Sequence, residues 1–333
     1  MSKISLDALE VLATGALVSG NTSETNARMV ATALVAADAD GLASHGVSRV
    51  PFYADQAASG KVNGHATPLL EQHAAAAIRV DAADGFAYPA IRIGLDKAVD
   101  VARDAGVAAL SIGNSHHCGA LSYHVENVAE QGLIALGFSN TPAGIAPWGG
   151  SRGSFGTNPI GFACPRREQL PLVIDLSLSA VARGKVVLAE KRGESIPDGW
   201  ALDADGRATN DARAALAGTM LPIGEAKGSA LAMVVELLTA ALAGANFAFE
   251  ASSFFTADGP PPRIAQTFIV LDPKAFGGHD FLDRVEALMV DVLSQPGTRL
   301  PGERRHRSRA AARDHGVDIG EDLLSELRRR AGM

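Results

Sequence analysis

The sequence predicts an α/β fold in which a strand-bearing middle is flanked by helices drawn from both ends of the chain. Three observations predict it. Apolar residues recur at helical spacing over residues 5–60 and again in the tail from 278 to 333. Short apolar runs typical of buried strands fall between those two regions. Neither GxGxxG nor GxxxxGK[ST] occurs anywhere in the chain, which excludes a Rossmann phosphate turn and a P-loop.

The elements follow in order. Residues 5–19 and 23–40 read as two Ala-rich helices broken at Gly20-Asn21-Thr22, with Ser5 capping the first. Asp7 and Glu10 interrupt the apolar run there, so this is an amphipathic helix and not a signal peptide. The segment 44–60 reads as a third helix ending near Gly60. Residues 77–82 alternate like a strand, 88–104 return to helical periodicity, and Gly106 leads into the apolar strand VAALSI. Two uncharged stretches, 105–125 and 131–151, are filled with Gly, Ser, Asn, His or Pro; they read either as pocket walls or as buried strand-loop structure. Farther on come a strand at 172–177, a helix at 180–192 and a turn-rich loop at 193–210. An apolar helix at 227–244 follows, then a Gly/Pro loop at 256–263 and a strand at 265–271. The tail holds two or three helices expected to fold back onto the N-terminal ones.

Composition narrows the function classes. With 333 residues the chain can bury a large core, and its length suggests two structural domains. A formal charge of −7 argues against nucleic-acid binding, which needs a basic face. No apolar run is long enough to span a bilayer. Cys118 and Cys164 suggest no disulfide framework, and a cytoplasmic location is expected.

The motif with most chemical content is Asp40-Gly-Leu-Ala-Ser-His-Gly-Val-Ser-Arg49. On a helix, His45, Arg49 and Tyr53 share one face, and Pro51 is tolerated only within a first turn. Arg suits a bidentate carboxylate clamp and His a proton transfer near neutral pH, so the trio suggests a site for a small carboxylic acid. The plain alternative is a capping or packed histidine. Asn114-Ser-His-His-Cys-Gly119 has adjacent histidines, which are poor joint metal ligands, and no metal site is expected. His116 and His117 either cap a loop or meet a ligand. The Gly-rich loop 149–159 allows close backbone approach. Asp175 ends a strand, where it meets a ligand or caps the next helix through Ser177 or Ser179. Lys227 and the arginines of 304–309 are either anion ligands or solvated charges.

Seven segments in this order carry a resemblance over nearly the whole chain: DGLASHGVSR, NSHHCGALSYH, GTNPIGFACP, IDLSLSAVARGK, IPDGWALDADG, GEAKGSALAMVVELL and RLPGERR. Together they resemble the malate/L-lactate dehydrogenase-like family of NAD(P)-dependent oxidoreductases, and most nearly its Δ1-piperideine-2-carboxylate/Δ1-pyrroline-2-carboxylate reductases. The resemblance implies a non-Rossmann NAD(P)-binding fold with a largely antiparallel sheet flanked by helices. It implies a helical substrate and dimerisation domain from 1–110 with 280–333, an NAD(P)-binding domain from 111–279, and a homodimer. His45 would donate the proton with Ser44 beside it, and His116 is the competing acid–base residue. Arg49 and Thr157 would hold the substrate carboxylate, with Tyr53 beside them. His117, Cys118, Gly119, Ala120 and Leu121 would line the cofactor. So would Asp175, Leu176, Ser177, Arg183, Lys227, Arg299, Gly302, Glu303, Arg304 and Arg305. The implied cofactor is NADPH, with NADH the alternative. The implied reaction is hydride transfer to C2 of a 2-imino or 2-oxo acid; a 2-hydroxy acid dehydrogenase and a non-catalytic binding homologue are the alternatives. Two departures stand out. Lys185 replaces the acidic residue of the imine-reducing branch, and residues 252–263 match neither branch.

Overall fold

A computed structural model describes residues 2–277 and 279–333. The chain opens with β1 (Ser2–Ile4), α1 (Leu6–Ser19), α2 (Glu24–Ala39) and α3 (Val50–Ala58). Ser5 caps α1 by accepting the Ala8 N–H, and Ser23 caps α2 by accepting that of Asn26. Then come β2 (Leu69–Ala74), β3 (Ala77–Asp81), α4 (Ala87–Ala105), β4 (Val107–Ser115), α5 (Leu121–Ala129), β5 (Ile134–Ser139), β6 (Ile160–Cys164) and β7 (Leu172–Leu176). The next stretch holds α6 (Arg183–Arg192), β8 (Ala201–Leu202), β9 (Ala208–Thr209), α7 (Ala212–Ala217), β10 (Thr219–Met220) and α8 (Ala226–Glu236), which runs on through a wider turn to Ala241. The chain closes with β11 (Ile264–Leu271), α9 (Phe281–Leu293), α10 (Glu303–His315), β12 (Val317–Ile319) and α11 (Glu321–Arg330).

Seven strands form one sheet in the order β2-β3-β4-β11-β5-β6-β7. Every pairing is antiparallel except β3 with β4, which run parallel because α4 carries the chain back across one face. Strand alternation then feeds two cores: along β11, Phe268 and Val270 enter one and Ile269 packs against the other. The first core sets Ile91 and Leu95 of α4 and Leu121 and Val125 of α5 against Leu110 and Ile112 of β4. The second gathers Phe138, Ile145, Leu178, Met220 and Val235. A third core joins Leu9, Leu17, Leu34 and Tyr53 from the start of the chain to Leu324 and Leu327 near its end. There β1 and β12 pair antiparallel, Ser2 opposite Ile319 and Ile4 opposite Val317.

The expected helix over 44–60 is corrected. Two single 3-10 turns, Ala43–His45 and Val47–Arg49, precede α3, and the break between them is Gly46 in extended backbone (φ −91°, ψ −154°). A Cβ on Gly46 would stand 2.1 Å from the Asp38 carboxylate, which accepts the Val47 N–H at 2.7 Å. Pro51 consequently falls in the first turn of α3, where its missing N–H costs little. Other differences are pairings with no local signature: β2 was not expected, nor β1 and β12, and the loop at 193–210 contains β8 and β9. The tail helices also divide. Helices α10 and α11 contact α2 and α1, while Glu286 of α9 takes a two-point ion pair from Arg166, just after β6 (3.1 and 2.7 Å). Among the described residues no helix is long and apolar enough to cross a membrane.

Candidate active site

Three segments meet at one corner: the two turns before α3, the loop after β4, and the loop from 252 to 258. The 3-10 turns place His45 beside Ser44, whose Oγ lies 3.0 Å from His45 Nδ1, leaving Nε2 for a ligand. Burial, aided by the Arg49 charge, lowers the His45 pKa to about 4, so the imidazole is neutral at pH 7. Arg49 donates through Nε to the Ser44 carbonyl at 2.7 Å, and its guanidinium carbon lies 4.7 Å from the centre of the Phe255 ring. Its Nη1 is buried with no hydrogen-bond partner among the described residues. A guanidinium held at Nε and covered on one face, with an Nη edge unspent, has the geometry of a carboxylate clamp.

The histidines after β4 take different roles. His116 Nε2 lies 2.9 Å from Gln56 Oε1, and Gln56 Nε2 donates to the Phe254 carbonyl at 2.7 Å. That second bond fixes which end of the amide faces the ring, so His116 carries its proton on Nε2 and spends it on Gln56. Its Nδ1 is buried and unpartnered, and burial, with the charges of Lys61 and Arg49, lowers its pKa to about 3. His117 Nδ1 meets the Tyr53 hydroxyl at 2.6 Å, and its ring centre lies 5.6 Å from that of His45. Tyr53 is fully buried, with its pKa raised to about 12, so the phenol stays protonated and orients His117. Tyr88 brings a second buried hydroxyl up to Gly119; a Cβ there would lie 2.6 Å from it, and Gly119 takes φ +68°. Cys118 is buried and its thiol is pushed up to about 12, so it is no thiolate. Thr157 lies at the β6–β7 end of the sheet: its N–H donates to Thr141 Oγ1 at 2.9 Å, and its carbonyl accepts from Leu178 at 2.8 Å.

A second group surrounds the start of α5. Asp175 accepts the Ser122 N–H at 2.8 Å, so it caps α5 and not the helix after it; Ser177 bonds Ser179 instead, at 2.5 Å. Gly302 (φ +88°) brings the start of α10 against β7, where a Cβ would lie 3.2 Å from the Val173 carbonyl. Arg305 is buried beside it: its Nε lies 3.4 Å from the Asp40 carboxylate, its Nη2 has no hydrogen-bond partner among the described residues, and its charge bears on Asp175. An unspent guanidinium Nη2 near a helix start fits a phosphate-bearing cofactor. Ala120 and Leu121 open α5 at the same place. Lys227, Arg299 and Arg304 are exposed, as is Leu176. Arg183 donates to the Leu216 carbonyl, and the Glu303 carboxylate turns back onto the Leu300 N–H. Among the described residues no cluster of His, Cys, Asp and Glu could hold a metal ion.

The family model for malate/L-lactate dehydrogenase matches residues 4–328. The chain belongs to that family. Like its relatives, it is an NAD(P)-dependent oxidoreductase. It is 51% identical to a (2R)-3-sulfolactate dehydrogenase (NADP(+)) of Chromohalobacter salexigens, over 98% of this chain and 97% of that one. It is 44% identical to a Δ1-pyrroline-2-carboxylate/Δ1-piperideine-2-carboxylate reductase of Pseudomonas putida, over 93% and 91%. The Δ1-piperideine-2-carboxylate reductase of Pseudomonas syringae pv. tomato has the same fold, with a TM-score of 0.94 and 41% identity, covering 99% of this chain and all of that one.

Several residues at this family member's site escaped the sequence reading. Gln56, Lys61, Phe254 and Phe255 join the candidate site through contacts made only by folding. Asp38 works through the turn it holds. Glu236 left a usable signal as the lone acid in the apolar helix 227–244. Its buried carboxylate accepts from Asn158 Nδ2 at 3.0 Å and from the Gly156 and Ala248 N–H groups, tying the Thr157 loop to α8. Burial raises its pKa, against the pull of those donors.

Proposed function

We propose that this enzyme uses NADPH to reduce a cyclic 2-imino acid, Δ1-piperideine-2-carboxylate or Δ1-pyrroline-2-carboxylate, to L-pipecolate or L-proline. The observation that carries this reading is the open Nη edge of Arg49 beside the free Nε2 of His45. The substrate carboxylate docks on Arg49, which sets its C2 and nitrogen against His45. The nicotinamide, when bound, supplies the hydride to C2. His45 then delivers the proton to the substrate nitrogen. Burial and, second to it, the Arg49 charge depress the His45 pKa; a carboxylate on Arg49 offsets the second of these. Ser44 fixes the ring by its contact with Nδ1. His116 is unsuited to the acid role, since its one N–H is committed to Gln56.

Arg305, Gly302 and the start of α5 would hold the phosphate-bearing part of the cofactor, and the loop from His117 to Gly119 its nicotinamide end. We place the enzyme in the cytoplasm as a homodimer. The exposed apolar residues Leu231, Val234, Leu237 and Leu242 along α8 support a self-association surface. A second reading, a 2-hydroxy acid dehydrogenase, is favoured by the sulfolactate relative and by Lys185, which is exposed where an acidic relay residue would be needed. Chiral chromatography after incubation with NADPH and Δ1-piperideine-2-carboxylate separates the two. Accumulation of L-pipecolate matching NADPH consumed is expected; no amine, with turnover confined to 2-oxo acids, would move the enzyme to the second reading.

A further inference from the structure

The loop from Ser252 to Asp258 is latched onto α3 and the residues after it. The Lys61 ammonium is buried and donates to the carbonyls of Ser253 (2.7 Å), Thr256 (3.0 Å) and Asp258 (2.9 Å). An ammonium has three N–H donors, so Lys61 has none left for a ligand. Gln56 adds a fourth tie, to the Phe254 carbonyl. The latch sets two rings into the site. Phe254 lies 5.2 Å from the His116 ring and 5.0 Å from that of His117, while Phe255 covers Arg49 and meets Phe52 edge-on at 5.6 Å. Phe255 is 52% exposed, which leaves much of its ring to line the space beside Arg49. Among the described residues contacting this corner, Arg49 is the cation with an unspent edge; its neighbours are neutral imidazoles and aromatic rings.

We propose that the latched 252–258 loop is the specificity-determining element of the site. Phe255, stacked on Arg49, forms an apolar wall that favours a substrate with one carboxylate and an apolar body over one carrying a second acidic group. This rests on the reading that Arg49 holds the substrate carboxylate. A second anion would lose its hydration against rings with no cation to replace it. Lys61 acts as a positioning residue, through the loop.

The test uses the full-length enzyme with NADPH and two comparisons: Δ1-piperideine-2-carboxylate, and the 2-oxo acid pair 2-oxobutyrate and oxaloacetate. The wild type is expected to favour 2-oxobutyrate over oxaloacetate in kcat/KM. Phe255→Ala should raise KM for the cyclic imine by about 10-fold, the order of an apolar pocket contact, with a smaller change in kcat. Phe255→Arg should shift the 2-oxo acid ratio toward oxaloacetate by about 10-fold or more, as a new charged hydrogen bond would. Lys61→Met should shift KM in the same direction as Phe255→Ala; should Lys61→Met fail to fold, the two Phe255 variants carry the test, because that ring is half-exposed. NADPH affinity, read by fluorescence titration, should stay within about 2-fold, following the placement of the cofactor phosphates at the other corner. An unchanged 2-oxo acid ratio in Phe255→Arg with NADPH binding intact would overturn the proposal. A wild type inert to cyclic imines would defeat the imine reading alone, since the 2-oxo acid pair still reports on the wall.

Discussion

Asp40 and Arg49 stand at the two ends of one short segment, and the fold treats them in opposite ways. Asp40 is buried and fully engaged. Arg309 grips it through Nε and Nη2 at 2.7 and 3.0 Å, and the same guanidinium reaches Glu126 at 3.1 and 2.6 Å. This cluster ties the end of α2 and the middle of α5 to α10. Arg49 spends one N–H on the Ser44 carbonyl and leaves Nη1 buried without a partner, among three imidazoles that burial keeps neutral. The difference separates two uses of charge in one molecule. Where charges are mutually satisfied they join distant parts of the chain; the one left open we take as the place a ligand completes.

The strongest way to break this comparison is at the satisfied end. Arg309→Met would leave Asp40 and Glu126 buried with weakened compensation, and a stability loss of about 3–5 kcal/mol is expected, read as a lower denaturant midpoint. Arg305 and His306 remain within 3.4 Å of these carboxylates, so the loss should fall near the lower figure. An unchanged midpoint would mean the cluster is not structural. Arg49→Ala should show the reverse pattern. Loss of a charged hydrogen-bonded contact should raise the substrate KM by about 10- to 100-fold, while the denaturant midpoint stays close to wild type. A large stability loss with an unchanged KM would erase the distinction.

The smallest effect concerns pH. His124 is buried behind the site, its Nε2 2.9 Å from the Cys118 carbonyl, and burial lowers its pKa to about 4. In the unfolded chain it titrates near 6.5, so between these values the unfolded state holds more protons. Its contribution is full above pH 6.5 and is lost as the pH falls toward 4. His124→Gln, which keeps an N–H for Cys118, should therefore lose ground to wild type at pH 7.5 and recover about 1.4 kcal/mol of that deficit by pH 5.5. Paired denaturant titrations at the two pH values check it; a deficit that holds or grows at pH 5.5 contradicts a buried neutral imidazole.

What was legible in the chain follows from range. The start of α1 and the break before α2 were readable because Ser5 and Gly20-Asn21-Thr22 act within a turn of where they stand. The break at Gly46 was not, because the group that forces it, the Asp38 carboxylate, arrives from the preceding helix. β1 and β12 were missed since each is a strand only by virtue of the other, at the far end of the chain. At the site the split is the same. His45 and Arg49 are brought together by local turns, so their spacing made them candidates although the single helix expected to carry them is absent. Residues 252–263 depart from the family pattern, but nothing within that segment singles out Phe254 and Phe255, whose placement depends on Lys61 and Gln56 reaching across from another segment.

The measurement that tests the account most directly compares His45→Ala with His116→Ala, reading kcat for NADPH-dependent reduction and NADPH affinity in the same preparations. With His45 as proton donor, its removal should lower kcat by about 10²–10⁴-fold with cofactor affinity intact, while His116→Ala should stay within about 10-fold of wild type. Full turnover by His45→Ala with collapse in His116→Ala would contradict it, and would mean that Gln56 releases the His116 proton when substrate binds.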